Sequence, residues 1–283
     1  MAVDLRWGER TYLMGIVNVT PDSFSGDGLA TADRAPDERL DAALALARGF
    51  ADAGAEIIDV GAESSRPRAA YGDHPDVDEV AELELAVPVV RGIVAELGDR
   101  VLVSIDTSKG AVAAAALAAG ARIVNDVWGA RRDPGTADAA AASGAYLVLM
   151  HNQDGSDYPG GVFDTVAGWL RDAVQAAVQR GVPRDRIVVD PGIGFGKGTR
   201  ENLELLHRLA ELRAALGGLP LLIGTSRKRF LGELLDGAPA ADRLEGTSAT
   251  VALAIAAGAD IVRVHDVPQM DRVRRVADAV VRR

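Results

Sequence analysis

Short apolar runs rich in β-branched residues recur eight times along the chain, and each run stops at a polar residue beside a turn signal. The eight polar residues are Asn18, Glu63, Asp106, Asn125, His151, Asp190, Ser226 and Arg263. Helical stretches separate the runs, and eight β/α units predict an α/β fold, a single (β/α)8 TIM barrel. Because polar residues at the carboxyl ends of barrel strands build the active site, we expect these eight positions to share one catalytic face.

The same pattern gives the elements. Strands are predicted at residues 13–19, 57–61, 101–106, 123–125, 146–151, 187–190, 221–225 and 261–265. The segments between them, such as 41–53 and 111–118, are rich in Ala and Leu and favour helix. Four strands follow a glycine typical of a left-handed helix cap, namely Gly54, Gly120, Gly144 and Gly258. An open, doubly wound sheet also alternates strands and helices, but eight units with polar ends favour closure.

Length and composition fit one barrel. A chain of 283 residues matches a barrel of roughly 250 residues, so we predict a single domain over 1–283. The chain is 48% hydrophobic but only 4% aromatic, so the core consists mostly of Ala, Val, Leu and Ile. A net charge of −10 argues against binding to nucleic acid or anionic membranes, though not against a small anionic substrate. Without cysteine, thiolate chemistry and disulfides are excluded.

Two connections on the predicted catalytic face are long and rich in Pro and Gly, at 20–31 and 63–76. Loops of this kind are often lids that close over substrate and exclude water, and we predict that role here. The amino terminus is charged, with no apolar signal segment, and no run reaches the ~18 apolar residues of a membrane span. We therefore expect a cytoplasmic protein.

Cationic side chains gather at the ends of the last two strands. Arg263 and His265 are two residues apart in strand eight and share one face. Burying them without partners costs several kcal/mol, so we expect an anionic ligand or nearby carboxylates, with a structural ion pair to Asp266 or another acid as the alternative. After strand seven, Thr225 or Ser226 is the predicted cap of a helix that begins there.

That helix would carry Arg227 and Lys228 in its first turn. Cations there oppose the helix dipole by up to about 1 kcal/mol, so a bound anion explains them better than helix formation does. This end of a barrel is also a common phosphate site. A pair of solvated surface charges is the alternative.

Asp106, Asn125 and Asp190 each end a strand after a short apolar run. Two carboxylates and an amide at a dry barrel mouth match the hydrogen-bonding edge of a 2-amino-4-oxo-pyrimidine ring. The trio could also hold a divalent metal, and Asp106 could instead cap a helix. The glycine-rich stretch at 190–197 lacks P-loop spacing, so we interpret it as a backbone that presents Phe195 to a flat substrate.

Taken together, these segments resemble the dihydropteroate synthase family, in the family's order and over nearly the whole chain. The motifs are NVTPDSFS at 18–25, ESSRP at 63–67, SIDT at 104–107, ND at 125–126, MH at 150–151, DPGIGFGK at 190–197, SRK at 226–228 and RVHD at 263–266. The resemblance implies a transferase of folate biosynthesis, in a family targeted by sulfonamides. It would join 6-hydroxymethyl-7,8-dihydropterin diphosphate to p-aminobenzoate and release pyrophosphate.

The resemblance also implies residue roles. The expected pterin contacts are Asp106, Asn125, Asp190, Phe195, Lys228 and Arg263. The expected diphosphate contacts are Asn18, Ser65, Arg66, Arg263 and His265, and Asn18 would also meet Mg²⁺, the expected cofactor. The expected p-aminobenzoate contacts are Phe24, Ser65, Arg66, Pro67, Phe195 and Ser226. The family further suggests a homodimer through outer helices, with 248–257 as the contact surface.

The chemistry implied is loss of diphosphate before the amine attacks. The expected catalytic residues are Asp106, Asp190, Lys228, Arg263 and His265. The acids would favour positive charge on the ring, while the cations and Mg²⁺ would favour the leaving anion. The aromatic amine is neutral at pH 7 and needs no strong base, and loop closure would keep water from the cation.

Three departures from the family pattern stand out. The acid of the first motif comes one residue late, as Asp27, which puts its role in doubt. Ala62 replaces a glycine, and Ser65 replaces the commoner threonine but keeps the hydroxyl. Two other readings remain: a pterin-binding methyltransferase barrel, disfavoured by the motifs at 63–67 and 226–228, and a catalytically silent pterin-binding paralogue.

Overall fold

The structure is a computed structural model that describes residues 5–20, 35–63 and 77–282. Its strands are β1 (Tyr12–Asn18), β2 (Ile57–Gly61), β3 (Leu102–Asp106), β4 (Ile123–Asp126), β5 (Tyr146–Met150), β6 (Ile187–Asp190), β7 (Leu222–Ile223) and β8 (Ile261–Val264). All are parallel, in the order β6-β5-β4-β3-β2-β1-β8-β7. A bridge between Val189 and Leu221 joins the two ends of that order, so the sheet closes into the predicted barrel.

Helices separate the strands, as β/α repetition requires. The α-helices of the described ranges are Pro36–Asp52, Glu79–Leu97, Gly110–Ala118, Gly135–Ser143, Val162–Gln179, Thr199–His207, Leu209–Ala215, Arg229–Leu234, Leu244–Ala256 and Val267–Val281. The four glycines predicted to end helices all have positive φ, between +69° and +110°. None of the described helices is long and apolar enough to cross a membrane.

Strand alternation sorts the side chains into two layers. Outward-facing residues pack with the helices in the main core. Inward-facing residues from seven strands fill the barrel, namely Tyr12, Met14, Ile57, Ile123, Val148, Val188, Leu222 and Ile261. Trp7 packs edge-on against Tyr12 and Tyr146 at the amino-terminal end of the strands. The apolar filling therefore occupies the lower barrel, and the inward polar residues begin at the middle of the strands, at Asp59 and Ser104.

Most strand bounds match the prediction to within a residue, but the seventh strand is shorter than expected. Residues 221–225 were predicted, whereas β7 spans only Leu222–Ile223. Gly224 lines a cavity at the barrel mouth, and the hydroxyl of Thr225 accepts a hydrogen bond from Thr250 at 2.8 Å. The chain therefore leaves the sheet early and turns toward the helix Leu244–Ala256. Ala62, the replacement for glycine, is fully buried in the core.

Candidate active site

A cavity lies at the carboxyl ends of the strands. Its lining consists of Ile16, Asn125, Val127, Met150, Asp190, Phe195, Gly224, Ser226, Lys228, Arg263 and His265. Seven of these residues were singled out from the sequence, and they come from four strands and the loops that follow them. Apolar walls with a few convergent polar groups are typical of a binding site for a small ligand.

Arg263 is held by two acids across the barrel mouth. Its Nε donates to Asp59 Oδ2 at 2.6 Å, and its Nη2 donates to Asp106 Oδ2 at 2.7 Å. Burial lowers the pKa of Arg263, but the two carboxylates outweigh burial and the net shift is upward. The alternative partner, Asp266, instead forms an ion pair with Arg227 at 2.6 Å. The cation of strand eight lines the cavity, and it is paired with two carboxylates, Asp59 and Asp106, that lie beside the cavity without being part of its lining.

Two carboxyl groups at the barrel mouth, those of Asp106 and Asp190, have raised pKa values. Burial raises the pKa of Asp106 to about 8, against the opposing charge of Arg263. Burial also raises the pKa of Asp190, against Lys228 and a hydrogen bond at 2.7 Å from the backbone N–H of Gly192. In a dry site these acids gain most from a ligand that offers N–H donors or carries positive charge.

Asp59 is the site residue that the sequence analysis missed. Its carboxylate is fully buried, and Oδ2 accepts from Asn125 Nδ2 at 3.0 Å as well as from Arg263. The polar residue predicted from the end of strand two is Glu63. The available signal was an acid inside the apolar run IIDVG, two residues from the strand end and in step with inward-facing Ile57.

Four of the eight polar strand ends do not line the cavity, namely Asn18, Glu63, Asp106 and His151, and Glu63 and His151 have their partners elsewhere. Glu63 pairs with Lys109 at 2.6 Å, and Lys109 also reaches the buried Glu82. His151 is fully buried with Nδ1 2.9 Å from Lys197 Nζ, and burial, reinforced by Lys197, lowers the pKa of His151 to about 3. Neither residue lines the cavity. The expectation that all eight polar strand ends line one site was therefore too broad.

Strands seven and eight meet at Ser226 and His265. His265 Nδ1 lies 2.9 Å from Ser226 Oγ, and the His265 backbone N–H donates to the same oxygen at 3.2 Å. The hydroxyl thus fixes the imidazole at the cavity wall, beside Arg263.

The predicted helix start at 225–228 is wrong. The helix spans Arg229–Leu234 with Lys228 as its N-cap, and Arg227 has a φ of +58°. Tertiary contacts hold this left-handed residue, because its N–H donates to Thr247 and its carbonyl accepts from Arg243. Arg227 is therefore a structural ion-pair residue, while Lys228 reaches the cavity.

The loop 190–197 is shaped by its glycines. Gly192, Gly194 and Gly196 all have positive φ, and a Cβ on Gly192 would lie 1.9 Å from the His151 carbonyl oxygen. Lys197 is buried inside the loop and donates to the carbonyls of Gly192 and Phe195 at 3.0 and 2.9 Å. Burial lowers the pKa of Lys197 to about 7.

Lys228 crosses to this loop from the end of strand seven. Its ammonium donates to the carbonyl of Ile193 and lies 4.4 Å from the centroid of the Phe195 ring. The loop therefore places an aromatic face and a cation at the same cavity wall, beside Asp190.

Residues 14–265 match the pterin binding enzyme family. The chain belongs to that family. A dihydropteroate synthase of Bacillus subtilis is 45% identical over 98% of this chain and 91% of its own length. The crystal structure of a family member from Clostridium difficile, a dihydropteroate synthase studied in the presence of pteroic acid, is 43% identical. It superposes with a TM-score of 0.88, covering 98% of this chain and 99% of that one.

A third family member is the dihydropteroate synthase of Xanthomonas albilineans, solved with 4-aminobenzoic acid. It is 38% identical with a TM-score of 0.86, and the match covers 96% of this chain and 94% of that chain. Agreement in fold, identity and length places the chain among the dihydropteroate synthases of the pterin binding enzyme family, which are transferases.

Some residues implied by the family motifs do not line the cavity. Asn18 is the last residue of β1, next to Gly61 of β2 in register, and is not part of the cavity lining. Phe24, Ser65, Arg66 and Pro67 lie outside the described residues, as do Asp27 and most of the two predicted lid loops. Within 5–20, 35–63 and 77–282 no three acidic or histidine side chains are grouped to hold a metal ion.

Proposed function

We propose that the protein joins 6-hydroxymethyl-7,8-dihydropterin diphosphate to p-aminobenzoate, giving 7,8-dihydropteroate and pyrophosphate in folate biosynthesis. The observation that carries this proposal is the convergence of Asn125, Asp190, Lys228 and Arg263 on one cavity at the barrel mouth. The near full-length relatives that are dihydropteroate synthases support it.

The pterin ring occupies the cavity between Phe195 and Arg263. Asp106, Asn125 and Asp190 accept hydrogen bonds from its amino and ring N–H groups, and Lys228 donates to its oxygen or imine nitrogen. Burial of these acids, which raises the pKa values of Asp106 and Asp190, supports this role because a donor-rich ring relieves their desolvation.

Charge separation is the chemical problem that the site solves. When the bond between the pterin methylene carbon and the diphosphate oxygen breaks, the electron pair leaves with pyrophosphate and the methylene becomes cationic. Asp106 and Asp190 stabilise that cation, while Arg263 and His265 stabilise the departing anion. The amine nitrogen of p-aminobenzoate then forms the new bond to carbon and loses a proton to solvent.

The p-aminobenzoate ring lies against Phe195 and Ser226 at the open side of the cavity. Phe24, Ser65, Arg66 and Pro67 complete this subsite in our proposal, and Ser65 and Arg66 also meet the diphosphate. The motif positions of these four residues support the assignment.

Asn18 would hold Mg²⁺ beside the diphosphate of the substrate. The donor set at the barrel mouth fits this arrangement, since Asn18 offers a single amide oxygen at the end of β1, and Mg²⁺ commonly takes one or two protein oxygens beside phosphate and water. The ion, when bound, withdraws charge from the leaving group.

A homodimer is the proposed assembly. On the two helices Leu244–Ala256 and Val267–Val281, large apolar side chains are exposed at Leu253, Val276 and Val280, each by more than 60%. These helices pack against each other, so the exposed residues supply an apolar surface suited to a second copy. The cytoplasmic location and the single domain over 1–283 stay predictions.

Turnover tests this proposal against its two rivals. Purified protein is incubated with dihydropterin diphosphate, Mg²⁺ and p-aminobenzoate, with each omitted in turn, and dihydropteroate is measured by chromatography. The synthase forms product only in the complete mixture. A methyltransferase instead demethylates a methylated pterin when free corrinoid is supplied, and a silent paralogue binds pterin in calorimetry without any product.

A further inference from the structure

Asp59 occupies the floor of the pterin cavity without reaching its surface. It lies in the middle of β2, in register with Ile16 of β1, which lines the cavity. Its exposure is 0%, so a ligand in the cavity meets its neighbours and not Asp59 itself. Any influence of Asp59 on the reaction must therefore pass through the residues that it holds.

Two cavity residues depend on one oxygen of this carboxylate. Asp59 Oδ2 accepts from Arg263 Nε at 2.6 Å and from Asn125 Nδ2 at 3.0 Å. Arg263 also donates a hydrogen bond to Asp106. The Asn125 side chain makes one hydrogen bond among the described residues, and that bond goes to Asp59. Asp59 thus joins a residue of β4 to a residue of β8 beneath the ligand position.

The bond to Asp59 decides which end of the Asn125 amide faces the ligand. An amide carries a donor nitrogen and an acceptor oxygen that are nearly equal in shape, so its orientation is set by its partners. A carboxylate oxygen that already accepts from a guanidinium requires the nitrogen of Asn125 to face it. The amide oxygen is then left to face the cavity that Asn125 lines.

We infer that Asp59 is a positioning residue that fixes the donor and acceptor polarity of the pocket, by holding Asn125 with its oxygen toward the ligand and Arg263 at the pocket edge. The cavity wall then presents acceptors from Asn125 and Asp190, with Asp106 beside them, and these acceptors select a ring edge rich in N–H donors. This inference rests on the proposed function, and it adds that ring selectivity is controlled from beneath the pocket.

The test replaces Asp59 by Asn, which keeps size but lets the Asn125 amide turn. We expect kcat/KM for dihydropterin diphosphate to fall at least about tenfold, while KM for p-aminobenzoate changes less than about twofold. Calorimetry compares a pterin with the matched ring whose 2-amino group is replaced by oxygen. The preference of wild-type protein for the amino ring should shrink at least about fivefold in Asp59→Asn.

Asp126→Asn is the matched control. Asp126 is also a fully buried acid at the end of β4, but it bonds Thr136 and the backbone N–H groups of Trp128 and Ala130 instead of cavity residues. It should lose thermal stability and keep the wild-type kcat/KM and ring preference per folded molecule. If Asp59 had only a structural role, Asp59→Asn would also lose thermal stability and keep the wild-type kcat/KM and ring preference, and this result would overturn the inference.

A measurement on the wild type avoids dependence on variant folding. In the ligand-free protein labelled with ¹⁵N, the side-chain amide protons of Asn125 are assigned by their loss in Asn125→Asp. Slow exchange with solvent is expected for protons held on Asp59, and rapid exchange would contradict the inference. If wild-type protein binds no pterin, the proposed function itself fails; if it binds and Asp59→Asn is unchanged, only the inference fails.

Discussion

Arg263 on β8 donates to Asp106 on β3 through Nη2 and Oδ2, at 2.7 Å across the mouth of the barrel. In the proposed reaction Arg263 stabilises the leaving anion and Asp106 stabilises the pterin cation. The hydrogen bond positions both groups before substrate arrives, so little reorganisation is needed when the charges of the reaction develop.

Replacing the ionisable carboxyl group of Asp106 should abolish most turnover. Asp106→Asn keeps the shape of the side chain but no longer stabilises the developing cation, so we expect kcat to fall at least ~100-fold. Steady-state pyrophosphate release measures the loss, and circular dichroism checks that the barrel remains folded. Near-normal kcat in a folded variant would remove Asp106 from the mechanism.

The buried ammonium of Lys197 makes stability depend on pH. Its pKa is lowered by burial to about 7 in the folded protein, below the ordinary lysine value of 10.5. Between these values the unfolded chain binds more protons, so the free energy of unfolding rises with pH through this group.

The variant Lys197→Met has no ionisable group at this position, so it lacks the pH dependence that Lys197 gives to the free energy of unfolding. Urea unfolding at pH 7, 8 and 9 measures the free energy of unfolding of both proteins. The wild-type value minus the variant value should increase by about 1 kcal/mol per pH unit. A difference that stays constant over this range would show that Lys197 remains protonated in the folded state.

Gly192 is required by the shape of the loop 190–197. In Gly192→Ala the new Cβ would meet the carbonyl oxygen of His151 at 1.9 Å, at a φ of +70°. Gly155→Ala is the control, since Gly155 has a φ of +82° with nothing within 4 Å of a Cβ. Chemical denaturation should show that the free energy of unfolding falls by about 1 kcal/mol in the control and by at least about 3 kcal/mol in Gly192→Ala. Equal losses would mean that the loop relaxes away from His151.

The proposed dimer surface can be tested by replacing two of its exposed apolar side chains with acidic ones. Leu253→Glu combined with Val280→Glu places acids on the exposed apolar face of the last two helices, where like charges from two copies would repel. Light scattering at micromolar concentration should show a dimer for wild type and a monomer for this variant. Val178→Glu, at an exposed site on the helix Val162–Gln179, should leave the dimer intact. A monomeric wild type would refute the assembly.

Local pattern was sufficient for the barrel but only for part of the site. Strand positions follow from the short apolar runs, and the polar strand ends at Asn125, Asp190 and Arg263 converge on the cavity as predicted. Asp59 was missed because its partners come from β4 and β8, which are distant in sequence. The pairing of Arg227 with Asp266 is likewise a tertiary contact that no local spacing reveals.

The prediction of where the helix after strand seven begins was wrong for a related reason. Thr225 and Ser226 are good helix caps by type, and the local sequence contains no Gly or Pro to prevent helix there. The left-handed turn at Arg227 is stabilised by Thr247 and Arg243, which belong to a later helix of the same β/α unit, Leu244–Ala256, and to its N-cap. Contacts with a later segment of the chain therefore decided the conformation against local preference.

The most direct test of the central claim follows pyrophosphate and dihydropteroate together in one reaction of wild-type protein with dihydropterin diphosphate, Mg²⁺ and p-aminobenzoate. The account predicts equal amounts of both at every time point, because the cation formed at the Asp106 and Asp190 wall is captured by the amine. Pyrophosphate without dihydropteroate would contradict capture by p-aminobenzoate, and the absence of both products would contradict the proposed reaction.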